Sequence, residues 1–280
     1  MNSTQLNELF SSTLRSTTPS VEQFEQLAMA VVEVHSSGDP SFRRHIQNRL
    51  KRIGKRSGQE FADGELDVSI ARLLIADEIG FACWDELVDA IANHGDDSRP
   101  LLFQYAIAAM ERGDFSALES MVGGSDRFDD QVAEWYDKGY FKNEPETLAE
   151  VLTASCMLGY DQTVEYLLDK GVDPLAGTKT GLNGFHYAAS SGRLNVIRLL
   201  IERKVPMESE NMYGATVLGQ ALWSAVNESS PVHAEIIEAL IDARGETEPG
   251  TLEWWEKQDV PSEETKERVT KILRSASATP

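Results

Sequence analysis

The sequence predicts an all-α fold: a helical N-terminal domain over residues 1–97, then a solenoid of helix–turn–helix repeats over residues 98–280 with a capping helix pair at its end. Two patterns carry that expectation. Residues 184–205, "GFHYAASSGRLNVIRLLIERKV", repeat residues 151–172, "VLTASCMLGYDQTVEYLLDKGV", at a shift of 33. Gly192 falls on Gly159, Ile197 on Val164, Leu200 on Leu167, Ile201 on Leu168 and Val205 on Val172. A fixed period of this length marks units that cannot bury their apolar faces alone and therefore stack on their neighbours. In the N-terminal third, apolar residues recur at the spacing of one helix face. With 41 % hydrophobic and 26 % charged residues, a chain of 280 has the composition of a globular protein and the length to bury a sizeable core.

In chain order, "SVEQFEQLAMAVVEV" (20–34) opens on a serine suited to cap a helix and continues with apolar residues at helical spacing. In "SFRRHIQNRLKRIGKR" (41–56), Phe42, Ile46, Leu50 and Ile53 share one face, so the seven basic residues fill the other. "LDVSIARLLIADEIGFACWDELVDAIANHG" (66–95) predicts two helices broken at Gly80, with Trp84 opening the second. The repeats follow at about 101–122, 147–172, 181–205 and 214–245. In the best-formed copy a short helix over 185–190 carries the small residues Ala188 and Ala189, which permit close packing, and Gly192 ends it. A second helix then sets Val196, Ile197, Leu199, Leu200 and Ile201 in a buried stripe. Gly171 stands where a left-handed helix cap is wanted. Residues 123–146 are too long for a repeat connection and hold Trp135, Tyr136, Tyr140 and Phe141. They either pack on the next repeat or form an aromatic insertion aimed at a partner. Residues 251–275 predict the capping pair.

These residues resemble the ankyrin repeat. The signature Thr-Pro-Leu-His-x-Ala-Ala stands here as Asn183, Gly184, Phe185, His186, Tyr187, Ala188 and Ala189, and more weakly as Glu150 to Cys156 and Thr216 to Leu222. A divergent first copy places Ala109, Gly113, Leu118 and Met121 at the key positions. The signature proline is missing from every copy, Lys204 replaces the usual glycine, and "VNESSPV" (226–232) is an insertion before the last second helix. Ahead of the repeats, Ala76, Glu78, Gly80, Phe81, Cys83, Trp84 and Leu87 are similar to a segment that precedes ankyrin repeats in a class of bacterial proteins, with Cys83 in place of serine. That second resemblance implies no activity.

The formal net charge is −20, and it is uneven: residues 57–97 set eleven acids against Arg72, whereas 41–56 hold seven bases and no acid. Such a field repels nucleic acid and anionic lipid and favours cationic partners. The basic helix 41–56 is the one candidate nucleic-acid contact; the alternative is a face paired internally or left in water. No stretch approaches the ~18 apolar residues of a membrane helix, and the start lacks the pattern of a signal peptide. A cytoplasmic protein without membrane association is expected, with Cys83 and Cys156 as two buried thiols. The five histidines show no metal-ligand spacing with each other or with the cysteines, so no metal or other cofactor is expected. No phosphate loop or nucleophile elbow is present. His186 occupies the signature position, where its family role is hydrogen bonding within the turns.

The resemblance implies a non-catalytic protein-binding module, monomeric, whose partner lies in the concave groove; the acidic field suits a basic one. The turns would form one rim and the first helices the wall. That places Lys179, Thr180, Asn211, Met212, Tyr213 and Trp223 along the groove, with Trp135, Tyr136 and Tyr140 flanking its N-terminal end. Two other classes stay open: an acidic immunity-type protein or inhibitor that neutralises a basic toxin or nuclease, and an enzyme the sequence does not announce.

Overall fold

A computed structural model describes residues 1–61, 64, 66–95, 100–114, 125–178, 181–228, 230–244 and 247–277. Among these residues it contains fifteen α-helices and no strand. The chain divides into two compact units, Met1–Arg112 and Gly113–Pro280.

The first unit holds α1 (Ser3–Leu14), α2 (Val21–Ser36), α3 (Pro40–Ser57), α4 (Val68–Ile79), α5 (Trp84–Ala92) and α6 (Leu101–Glu111). Ser20 caps α2 as expected: its hydroxyl accepts from the Gln23 amide while the Gln23 side chain accepts from the Ser20 amide, which satisfies two orphan N–H groups at once. Gly80 ends α4 in a left-handed conformation. α4 is the hub, packing on α2, α3, α5 and α6. Phe24, Leu27, Leu74, Ile79, Leu87, Phe103 and Met110 are fully buried there, each contributing about 1.5–3 kcal/mol relative to exposure. The helix that opens the divergent first repeat copy, α6, thus belongs to this unit.

On α3, Ile46, Leu50 and Ile53 are buried and Phe42 is half-buried. Its arginines are not simply solvated. Arg49 pairs with Glu78 at 2.7 Å and donates to the Leu74 carbonyl at 2.6 Å; Arg52 reaches Asp77 at 3.3 Å, and Arg56 also bonds Asp77. Arg112 meets Glu78 from the other side at 3.1 Å. Asp77 is only 4 % exposed, a depth at which a carboxylate stays ionised only when cations and hydrogen bonds compensate it. Burial pulls the Arg49 guanidinium below its ordinary range, opposed by Glu78 and Asp77.

The second unit contains α7 (Ser125–Asp137), α8 (Pro145–Leu158), α9 (Asp161–Asp169), α10 (Gly184–Ser190), α11 (Leu194–Glu202), α12 (Val217–Asn227), α13 (Val232–Arg244), α14 (Thr251–Glu256) and α15 (Glu263–Ser277). They form two layers. α8, α10 and α12 pack in sequence as the first; α7, α9, α11, α13 and α15 pack in sequence as the second. Ala188 and Ala189 are fully buried between α10 and its neighbours, and Val196, Ile197 and Leu200 face inward from α11. α14 and α15 close the stack around Trp255, whose ring lies 5.1 Å from Lys266 Nζ. Lys266 also donates to the carbonyls of Trp255 at 2.6 Å and Gln258 at 2.7 Å, satisfying acceptors at the end of α14.

The cysteine expectation needs correction. Cys156 is buried, and burial raises its thiol pKa well above the ordinary value. Cys83 is exposed: it stands at the N-cap of α5, ahead of the helix and outside the core. No described helix is long and apolar enough to cross a membrane.

Candidate partner-binding surface

The turn before α12 is built around Asn211. Its side-chain oxygen accepts from the Tyr213 amide at 2.9 Å and the Ala215 amide at 3.1 Å. Its backbone N–H donates to the Ala215 carbonyl at 2.9 Å, and its side-chain amide donates to Gln220 of α12 at 2.9 Å. Gly214 takes a φ of +75°, which lets the chain reverse directly after the tip. Neighbouring turns are tied together, because the Met212 amide donates to the Gly181 carbonyl at 2.9 Å. Met212 also lies over Gly181, where a Cβ would sit 2.1 Å from its sulfur.

This scaffold leaves two large apolar side chains in solvent. Met212 is 65 % exposed and Tyr213 is 77 % exposed. One helix further on, Trp223 of α12 is 54 % exposed, while Val217, Leu218, Ala221, Leu222 and Ala225 bury the opposite side of that helix. Isolated apolar residues on a surface are ordinary; three large ones exposed on one turn–helix unit are not. Glu208, Glu210 and Glu228 are exposed around them. Across residues 205–256 the sequence carries ten carboxylates against one arginine, Arg244.

The expected site residues separate into three groups. Met212, Tyr213 and Trp223 are exposed on the same repeat unit. Asn211, 8 % exposed, forms the turn beneath them and presents little surface of its own. Lys179 and Thr180 lie outside the described residues.

The insertion aromatics do not join this group. α7 packs on α9, in the second layer. Phe128, Val132 and Trp135, spaced four and three residues apart, are buried at 1 %, 1 % and 2 % exposure. The Phe128 ring stands 4.7 Å from that of Tyr160, and Asp129 accepts from the Thr163 amide at 3.1 Å to cap the start of α9. Tyr136 meets Tyr166 of α9 edge-on at 5.7 Å, with Lys170 Nζ 5.2 and 5.0 Å from the two rings. Tyr140 is half-buried in the turn that follows. The segment supplies a second-layer helix ahead of α9, and the apolar spacing of Phe128, Val132 and Trp135 was the signal for it.

His186 is fully buried, with Nδ1 2.8 Å from Asn183 Oδ1 and Nε2 3.1 Å from the Ala215 carbonyl. It links α10 to the following turn, and burial depresses its pKa against the opposing effect of the Ala215 and Ser209 backbone acceptors. Among the described residues no group of three or more His, Cys, Asp or Glu side chains is placed to hold a metal ion. A family model for ankyrin repeats matches residues 105–211 and 151–249, in three copies. No curated protein matches the chain.

Proposed function

Because the chain belongs to the ankyrin repeat family, we propose that it is a non-catalytic module that binds a protein partner along the groove formed by its turns and first-layer helices. The carrying observation is the exposed set Met212, Tyr213 and Trp223 within an acidic run. Aromatic side chains and methionine are enriched at interface centres, and the carboxylates that neighbour these residues in sequence favour a partner that is basic around an apolar anchor. The partner contacts proposed are these three residues. Asn211 holds them in place, and Tyr136 belongs to the opposite layer.

The acidic run also suits an inhibitor that caps a basic functional surface, and the salt dependence of the complex separates that case. An inhibitor held by many ion pairs loses affinity steeply between low and physiological salt, whereas an apolar anchor does not.

The test compares proteins captured from native lysate by the wild-type chain, by Met212→Lys with Tyr213→Thr, by Trp223→Ala, and by Arg198→Ala on the exposed side of α11. Truncating a central aromatic anchor typically costs ~2 kcal/mol or more, roughly thirtyfold in affinity. The turn and Trp223 variants should lose the captured partner at least tenfold while Arg198→Ala retains it. Retention by both patch variants, or loss in Arg198→Ala alone, refutes the proposal.

A further inference from the structure

A groove of about 600 Å³ lies within the N-terminal unit, beside α3. Its floor is apolar, made by Ile46, Leu50 and Phe61, with His35 at one side. The return of the chain after α3 builds it: Gly58 reverses direction at a φ of +74°, and Phe61 comes down over Gly54, where a Cβ would stand 2.6 Å from the Gln59 carbonyl and 3.7 Å from the Phe61 ring. A side chain at position 54 would push that loop away.

Two cations line this groove, Lys51 and Lys55. Most of their neighbours on α3 are otherwise committed. Arg49, Arg52 and Arg56 are bound by Asp77 and Glu78, and Arg43 donates to the His35 carbonyl at 3.1 Å. Three guanidiniums of α3 thus turn to the carboxylates of α4, Arg44 is exposed outside the groove, and the two lysines line the groove beside its apolar residues. Like charges four residues apart on a helix repel, and Lys51 and Lys55 have that spacing. One carboxylate, Glu60, also lines the groove, so its described lining residues carry two cations and one anion.

We propose that this groove binds an amphipathic organic anion, one carboxylate head between Lys51 and Lys55 and an apolar body of about ten carbons on Ile46, Leu50 and Phe61. The volume lies in the range of small-molecule sites, which are largely apolar with a few convergent polar groups. An apolar chain gains about 25 cal/mol per Å² buried, and the head relieves the repulsion between the lysines. A purely ionic ligand would leave the floor unused. A neutral chain would make no use of the lysine pair.

Titration calorimetry of the full chain with decanoate, 1-decanol and hexaglutamate tests this. Decanoate should bind one to one, with 1-decanol and hexaglutamate each at least tenfold weaker. Lys51→Gln with Lys55→Gln should weaken decanoate at least tenfold at an unchanged melting temperature, since both side chains are exposed. Arg44→Gln, an exposed cation on the same helix outside the groove, should leave binding as in the wild type. Absence of decanoate binding up to millimolar concentration, or equal binding by the double lysine variant, overturns the proposal. Hexaglutamate binding more tightly than decanoate overturns it in favour of an acidic chain segment as the occupant.

Discussion

Lys204 should give way to glycine with a gain in stability. It is the one non-glycine residue with positive φ among those described, at +58°, in the left-handed region where an L side chain costs about 1–2 kcal/mol. The backbone leaves no freedom to relax. Lys204 N–H donates to the Ile201 carbonyl at 2.9 Å and Val205 N–H to the Leu200 carbonyl at 3.0 Å, the pair of bonds that closes a helix with a left-handed residue at its end. One period earlier Gly171 fills the same place at +79°, with Gly171 N–H to Leu168 at 3.0 Å and Val172 N–H to Leu167 at 3.1 Å. The Lys204 side chain is exposed. Lys204→Gly removes the strain but widens the unfolded ensemble, at about 0.5–1 kcal/mol. The net gain is about 0.5–1 kcal/mol, a rise of roughly 1–4 °C for a unit of this size. Gly171→Ala is the mirror experiment and should lower the melting temperature by a comparable amount. Calorimetry and urea titration on the same samples measure both. If Lys204→Gly fails to raise the melting temperature while Gly171→Ala lowers it, the strain assigned to Lys204 is absent.

Ala188 is fully buried, and Ala188→Leu should overpack α10 against its neighbours and cost about 1–3 kcal/mol; an unchanged urea midpoint would show that the layer has slack there. Acidification should destabilise the second unit through His186. Burial holds its folded pKa below the ordinary value of about 6.5, so below about pH 6.5 the unfolded chain binds the proton more readily. The stability is present above pH 6.5 and is lost as pH falls toward the folded pKa, by up to about 1.4 kcal/mol per unit. The readout is the difference in melting temperature between wild type and His186→Gln at 0.15 M salt, where general charge effects largely cancel. It should shrink from pH 7.5 to 5.5, and a constant difference would show that His186 does not carry the effect.

The parts of the fold visible in the sequence were those where one local rule decides the outcome. Ser20 with Gln23 makes a cap from four consecutive residues, Gly80 ends α4 because it alone tolerates the left-handed turn cheaply, and the stripe from Val196 to Leu200 needs only helical period. Two features required knowing what lies opposite. The aromatics of 123–146 suggested an interface because they cluster in sequence, yet Phe128, Val132 and Trp135 are buried in the second layer against the α9 region, and only Tyr136 and Tyr140 keep partial exposure. The seven bases of 41–56 formed a uniform polar face in the sequence. Asp77 and Glu78, more than twenty residues away on α4, bind Arg49, Arg52 and Arg56 and leave Arg44, Lys51 and Lys55 open, a division that periodicity cannot express.

The exposed turn before α12 could be placed from the sequence because the repeat supplies its own reference. At a shift of 33, Gly214 falls on Gly181, and both have positive φ, +75° and +85°. The bond from Gly214 N–H to the Asn211 carbonyl at 2.9 Å repeats that from Gly181 N–H to the Thr178 carbonyl at 2.8 Å. The register is therefore continuous, and Met212 and Tyr213 occupy the positions of Lys179 and Thr180. The sequence carries a cation and a hydroxyl at those two positions one period earlier, so the repeat pattern itself does not call for a thioether and a phenol there. In the first layer Trp223 stands where Ser190 and Met157 stand in the two preceding helices, again with no core contact requiring a large ring at that row. Met212, Tyr213 and Trp223 are thus large apolar side chains held in water at positions where the repeat pattern does not call for them, which is why the proposed function rests on these three rather than on the buried aromatics of α7.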